Sequence, residues 1–203
     1  MRKLWRIFWS PSLRYSLGAF VLVGALVGAG GLFAVDVVLH ETSTDTFCFS
    51  CHEMEVNIFA EFDGMSHAKN ARGFRATCSD CHIPKPFVPK MVRKVRALAE
   101  VYHHLLGTID TPEKFEAYRM TMATRVWADM NKTDSRECRD CHQADLWDLA
   151  AQPEKARDFH TGALAKGKTC IDCHKGVAHK LPEGIVPDQQ LPGMDPANEV
   201  AGG

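Results

Sequence analysis

From Tyr15 to Val35 the chain runs 21 residues without a charged side chain. As a helix rising 1.5 Å per residue, such a run reaches about 32 Å, enough to cross the hydrocarbon of a bilayer. Residues 1–14 carry Arg2, Lys3, Arg6 and Arg14 and no acid, whereas Asp36, Glu41 and Asp45 follow the run. Basic residues ahead of a span, with none close behind it, predict a cytoplasmic N-terminus and everything downstream outside. Trp5 and Trp9 suit the cytoplasmic headgroup layer. A cleaved signal peptide is the competing reading, but its apolar region is shorter, about 7–15 residues. Small-x-small candidates such as Gly28-Ala29-Gly30 lie inside the run, with Leu32, Phe33 and Val35 still to come. The pattern predicts a permanent anchor over 15–37. Gly24-x-x-x-Gly28 leaves room for close packing of another helix, a pattern common in membrane helices that leaves a homodimer open.

The next periodic stretch is Val88 to Leu106, where Val88, Met91, Val92, Val95, Leu98, Ala99, Tyr102, Leu105 and Leu106 recur at three and four residues. Pro84, Pro86 and Pro89 mark its approach and Gly107 its end. Lys90, Arg93, Lys94 and Arg96 crowd its other faces, a basic amphipathic helix able to rest against lipid headgroups. A second helix opens with Thr111 as N-cap and Pro112 at its first position, and continues through Phe115, Tyr118, Met122, Val126 and Met130. Together they predict a helical hairpin. Beyond Leu181 the chain turns to Pro182, Pro187, Pro192, Pro196 and a terminal Gly202-Gly203, too polar and broken to order itself. The expected organisation is a basic N-terminus over 1–14, the anchor, a domain over 38–182, and a mobile tail over 183–203.

Composition changes this picture only modestly. At 203 residues there is room for one or two small domains, and a net charge of −1 points to neither nucleic acid nor an acidic substrate. Hydrophobic residues concentrate near the N-terminus, which leaves little apolar core for the rest.

Cysteine usage changes it entirely. Cys48-Phe49-Ser50-Cys51-His52 is repeated in pattern by Cys78-Ser79-Asp80-Cys81-His82, Cys138-Arg139-Asp140-Cys141-His142 and Cys170-Ile171-Asp172-Cys173-His174, which uses all eight cysteines. C-x-x-C-H is the attachment signature of a c-type haem. The two thiols add to the porphyrin vinyl groups, the two-residue spacer matches their separation, and the adjacent histidine meets the iron. Zinc sites of four thiolates, or disulfides, are the alternatives, but neither requires a histidine directly after the second cysteine. The sequence thus predicts four covalently bound haem c groups. The fold class is mainly α, a loop-rich multihaem cytochrome c domain behind one N-terminal transmembrane helix. The porphyrins become the apolar mass on which the chain folds, and the helical hairpin packs on them. Export agrees with the orientation, since thiols outside the cytoplasm meet oxidising conditions; the expected setting is the bacterial inner membrane, single-pass, with the haem domain in the periplasm. Motifs starting at 48, 78, 138 and 170 hint at a duplicated dihaem unit.

Each motif histidine (His52, His82, His142, His174) supplies one axial ligand, and the opposite side of each iron decides its role. Six histidines lie outside the motifs: His40, His67, His103, His104, His160 and His179. From the residues alone any of them could be a ligand or a surface side chain.

The short basic N-terminus, single span and four motifs resemble the NapC/NirT family of membrane-anchored quinol dehydrogenases. The likeness extends through Cys78-x-x-Cys81-His82-Ile83-Pro84, Phe87-Val88-Pro89-Lys90-Met91, Ile109 to Ala117, and Cys170 to Pro182, nearly the whole chain except the last twenty residues. Within the family these stretches look most like the NapC-type branch that serves periplasmic nitrate reductase. The resemblance implies distal ligands at His67, His160 and His179, and matches His103 and His104 to nothing. It leaves the first haem different. In Cys51-His52-Glu53-Met54 the methionine is placed where NrfH-like relatives use methionine as the iron ligand, so either His52 or Met54 serves there. The far face of that haem is expected to be open or weakly held, at the membrane surface where quinol arrives. In the family a lysine and an acid on the helix after the second motif approach the first haem; Lys94 and Glu100 match, with Lys90 a third candidate. The implied function is oxidation of membrane quinol and electron transfer to a periplasmic reductase, most of all the nitrate reductase complex, as an electron-transfer subunit rather than a stand-alone metabolic enzyme. A different periplasmic reductase acting on nitrite or an S- or N-oxide, a terminal reductase working at an open haem, and a passive haem-wire fed by another membrane protein stay open.

Overall fold

The computed structural model describes residues 17–190, and the chain divides into two units after Thr42. The basic N-terminal residues, Trp5 and Trp9, and the tail beyond Gln190 lie outside the described residues.

In the first unit, α1 (Leu17–Glu41) is one unbroken helix. It is long and apolar enough to cross a membrane. Phe20, Leu22, Leu26, Val27, Leu32 and Phe33 all stand exposed around it. A helix apolar on every side and left uncovered by the other described residues is what a lipid solvent accommodates.

The second unit is helical, with no strand among the described residues. Its elements in order are α2 (Asp45–Cys48), a π-helical turn Met54–Phe59 that runs on through Ala60–Phe62, α3 (Cys78–His82), α4 (Phe87–Leu105), α5 (Pro112–Lys132), α6 (Arg136–Arg139), α7 (Glu154–Ala165) and α8 (Cys170–Cys173). The two long helices are those the periodicity predicts. Gly107 closes α4 at φ +63°, a left-handed conformation that an added Cβ would strain, and that Cβ would also lie 2.9 Å from an Asp110 carboxylate oxygen. Thr111 caps α5 by accepting the Lys114 amide at 3.4 Å. An exposed ion pair, Arg96 of α4 with Asp129 of α5 at 3.6 Å, links the two long helices.

The buried face of α5 differs from the expected apolar stripe. Phe115, Arg119, Trp127 and Asn131 are buried, while Tyr118 is exposed. Two of the four are polar because each has a partner waiting. Arg119 donates to both oxygens of Glu61 at 2.7 and 3.0 Å and to Glu116 at 2.6 and 2.8 Å. Asn131 donates to Asp172 at 2.9 Å. Trp127 and Ile171 form the centre of a small cluster with Ala123, Met130, Leu181 and Ile185. Of the stretch expected as a tail, residues 183–190 are placed on this cluster: Ile185 packs into it, and the Pro187 carbonyl accepts from the buried Lys175 ammonium at 3.3 Å.

Buried apolar side chains are few. Among the described residues they are Phe62, Ala68, Ala76, Phe115, Trp127 and Ile171. Val88, Val92, Val95, Leu98, Tyr102 and Leu105 of α4 stay exposed.

Candidate functional site

Each C-x-x-C-H motif folds as a short helical turn with its own local support. At the second, Thr77 and Asp80 form a reciprocal capping box around α3, and at the fourth Thr169 and Asp172 do the same around α8. At the first, Thr44 accepts the Phe47 amide at 3.2 Å. The third lacks such a box; Asp134 and Ser135 enter α6 in left-handed conformations, φ 53° and 48°.

The motifs are tied in pairs. Asp45 ahead of the first accepts the Cys78 amide of the second at 2.8 Å, and the buried Ser135 hydroxyl ahead of the third accepts the Ile171 amide of the fourth at 3.1 Å. Thiols meet in the same pairs. A hydrogen bond from Cys78 lowers Cys48, and one from Cys138 lowers Cys170, while the donor thiols are pushed up. A thiolate is the reacting form of cysteine.

Every motif histidine faces a second imidazole from outside the motifs. His82 stacks against His179 with ring centres 6.1 Å apart, His142 faces His67 at 6.2 Å, His174 faces His160 at 6.0 Å, and His52 faces His104 at 6.1 Å. A metal–nitrogen bond of about 2 Å on each side, plus the depth of each ring, separates two trans imidazoles by roughly 6 Å between centres. The spacing in all four pairs therefore fits one iron.

Hydrogen bonds engage Nδ1 of three of the four outer imidazoles, the arrangement in which a metal-binding histidine is oriented by its second nitrogen. His67 donates from Nδ1 to the Val177 carbonyl at 3.2 Å, and His160 from Nδ1 to the Gln152 side-chain oxygen at 2.7 Å. His179 Nδ1 is buried with no partner. His179 sits on the loop after α8, which turns at Gly176, where φ is +79° and a Cβ would meet Leu181 at 2.8 Å. Neutral imidazole is the form a metal requires. Burial, then the neighbouring His179, pushes His82 down to about 4. Burial likewise lowers His179 and His174.

The first site is built differently. Glu53 follows His52 directly and is 3% exposed. Its Oε1 accepts from His104 Nδ1 at 2.7 Å and lies 3.3 Å from His52 Nε2, while its Oε2 is buried without a partner. Met54, half-buried, opens the π-helical turn, a helix variant that recurs at functional sites. Of the α4 candidates, Glu100 is exposed and paired to Arg93 at 2.9 Å. Lys94 lies deeper. Burial pushes its ammonium down, with Arg93 and Lys90 acting the same way and Cys48 opposing them.

Neither Glu53 nor His104 stood out as a site residue in the sequence. The available signal was that only the first motif is followed at once by an acid; Ile83, Gln143 and Lys175 follow the others. His103 Nδ1 shares a hydrogen bond with the Thr108 hydroxyl at 3.1 Å and its ring meets Tyr102 edge-on, with no imidazole opposite among the described residues.

Comparison with known proteins places these features in context. Residues 10–184 match the model of the NapC/NirT cytochrome c family, N-terminal region. The chain is 47% identical over 180 residues to the denitrification system component NirT of Stutzerimonas stutzeri, covering 89% of this chain and 90% of that protein. It is 44% identical over 183 residues to the cytochrome c-type protein NapC of Escherichia coli (strain K12), covering 90% and 91%. It is 45% identical over 186 residues to the cytochrome c-type protein TorC of the same strain, covering 90% of this chain and 47% of TorC. No solved structure matches the chain.

Proposed function

The chain belongs to the NapC/NirT cytochrome c family, and on that premise we propose that it is a membrane-anchored tetrahaem cytochrome that oxidises membrane quinol and delivers the electrons to a periplasmic reductase. The observation that carries this reading is the set of four imidazole pairs, each at one-iron spacing, inside a single small domain. Cys48 and Cys51, Cys78 and Cys81, Cys138 and Cys141, and Cys170 and Cys173 hold the four haem groups. When bound, each haem c supplies a one-electron redox centre. His82 with His179, His142 with His67, and His174 with His160 would each hold an iron between them. The Val177 carbonyl and Gln152 fix the orientation of His67 and His160.

Quinol gives up two protons with its two electrons, so proton acceptors must stand beside the entry point. Only a short turn of chain separates the end of α1 at Glu41 from Cys48, which puts the first motif next to the anchor in sequence and makes it the entry point. Lys94, made easier to deprotonate by burial, is the group of α4 near that motif. Glu100, on the next turns of the same helix, relays protons outward to solvent, and Lys90 sets the local charge. The NapC-type resemblance, with the likeness to a denitrification system component, favours the periplasmic nitrate reductase as acceptor, a reductase of nitrite or of an S- or N-oxide being the alternative.

Anaerobic mixing of the detergent-solubilised holoprotein with a reduced quinol analogue tests the reading. Rapid haem reduction, seen in the α-band absorbance, is expected; its absence would leave a passive conduit fed by another membrane protein. Glu100→Gln should slow the quinol-driven phase roughly 10-fold or more while reduction by dithionite is unchanged. An unaltered quinol rate removes Glu100 from the mechanism. Replacing residues 1–41 by a cleavable secretion signal should release a soluble domain that keeps all four haems, read by subcellular fractionation and haem stain; retention in the membrane fraction would show a second attachment.

A further inference from the structure

We infer that His104 is the sixth ligand of the first haem iron, held in place by the buried carboxylate of Glu53. The inference deepens the reading above, since it rests on haem attachment at Cys48 and Cys51.

Three observations converge on it. His104 and His52 have the same ring-centre spacing, 6.1 Å, as the other three imidazole pairs, which span 6.0 to 6.2 Å. His104 is also held as His67 and His160 are, by Nδ1 on an oxygen, so Nε2 is its free nitrogen. The holding group here is a carboxylate at 2.7 Å, the shortest kind of such contact and one that makes the imidazole a stronger donor to metal. Finally, Glu53 is an acid at 3% exposure with one oxygen lacking any partner, and buried carboxylates are kept only where they serve something. Cys51, Glu53 and His104 bring their ligand atoms within 4.8 Å of one another, so the site is already assembled around the first motif.

Glu53 Oε1 makes two contacts, a short one to His104 and a longer one, 3.3 Å, to His52 Nε2. Iron held by His52 Nε2 would replace the longer contact, whereas the shorter one engages His104 Nδ1, not the nitrogen that would hold the metal. Glu53 then acts as a positioning residue, not a ligand. Met54 becomes an apolar contact beside the ring. With both faces of the first iron closed by imidazole, quinol meets the edge of the porphyrin rather than the metal. The neighbouring His103, turned to Thr108, takes no part.

Spin state decides the matter, in the ferric full-length holoprotein in detergent, by low-temperature electron paramagnetic resonance and near-infrared magnetic circular dichroism. All four haems of the unaltered protein should be low-spin with bis-imidazole character. His104→Ala should turn one haem in four high-spin without loss of haem, added imidazole should restore it, and His103→Ala should change nothing. His104→Met should convert one haem in four to a histidine–methionine spectrum. Glu53→Ala should give a partial high-spin share of that same haem, restored by Glu53→Gln, which keeps the hydrogen-bond acceptor. One high-spin or histidine–methionine haem in the unaltered protein would overturn the inference, as would a His104→Ala spectrum identical to it. Should His104→Ala fail to accumulate, the unaltered protein and His104→Met still decide. Quinol reduction is a separate measurement and does not alter the spin count, so failure of the functional reading is distinguishable from failure of this one.

Discussion

Arg119→Ala is expected to destabilise the haem domain by about 3–5 kcal/mol, the cost of leaving a buried carboxylate without its partner. Arg119 and Glu61 are 8% and 9% exposed, and they meet through two hydrogen bonds of 2.7 and 3.0 Å. The Glu116 contact is as short but half in solvent, with that side chain 58% exposed, so Glu116→Ala should cost less than about 1 kcal/mol. Glu61 also accepts the Lys180 backbone amide at 3.0 Å, one residue after His179. Loosening Arg119 therefore frees the strand of chain that presents His179 to His82. Denaturant unfolding followed by far-ultraviolet circular dichroism gives the stability change, and a new high-spin signal in the ferric protein reads the displacement of His179. Similar losses from Arg119→Ala and Glu116→Ala would show the cluster to be a surface network. Arg119→Met with Glu61→Leu, which removes both charges and keeps the volume, should recover much of the stability.

Replacing Cys170 and Cys173 together by serine should lower the melting temperature by at least about 10 °C, equivalent to roughly 3–5 kcal/mol for a domain of this size. Among its described residues the second unit buries only a handful of apolar side chains, and of the pair at the centre of their cluster, Ile171 and Trp127, the former belongs to the fourth motif itself. A chain so short of its own core relies on a porphyrin at each motif for apolar mass. The double variant should carry three haems in place of four, by pyridine haemochrome assay, and melt earlier and less cooperatively. An unchanged melt with three haems would show that the polypeptide packing suffices.

How much of this was legible beforehand varies with the physics. The α1 run, the α4 period and the Thr111-Pro112 start of α5 were readable because local chemistry dictates them. The buried face of α5 was not. Hydropathy ranks Tyr118 and Met122 above Arg119 and Asn131, and only the fold supplies Glu61 and Asp172 as the partners that make burial of the polar pair tolerable. The motif cysteines and histidines announce themselves by spacing. Which imidazole faces which is a long-range matter, since His67 crosses to His142 and His179 returns to His82. Resemblance pointed to His67, His160 and His179 and was silent on His104, whose neighbour Glu53 gives it meaning only once α4 is laid beside the first motif.

The return of His179 to the second motif bears on how the molecule is made. A nascent chain could load its early porphyrins as soon as each thiol turn emerges, because the capping of Thr77 by Asp80 is complete within a few residues. On the proposed pairing, an iron at the second motif would gain its outer imidazole only from chain that lies beyond the fourth motif. A chain cut before residue 179 would then carry haem at the second motif without that imidazole, seen as a high-spin signal in the ferric protein.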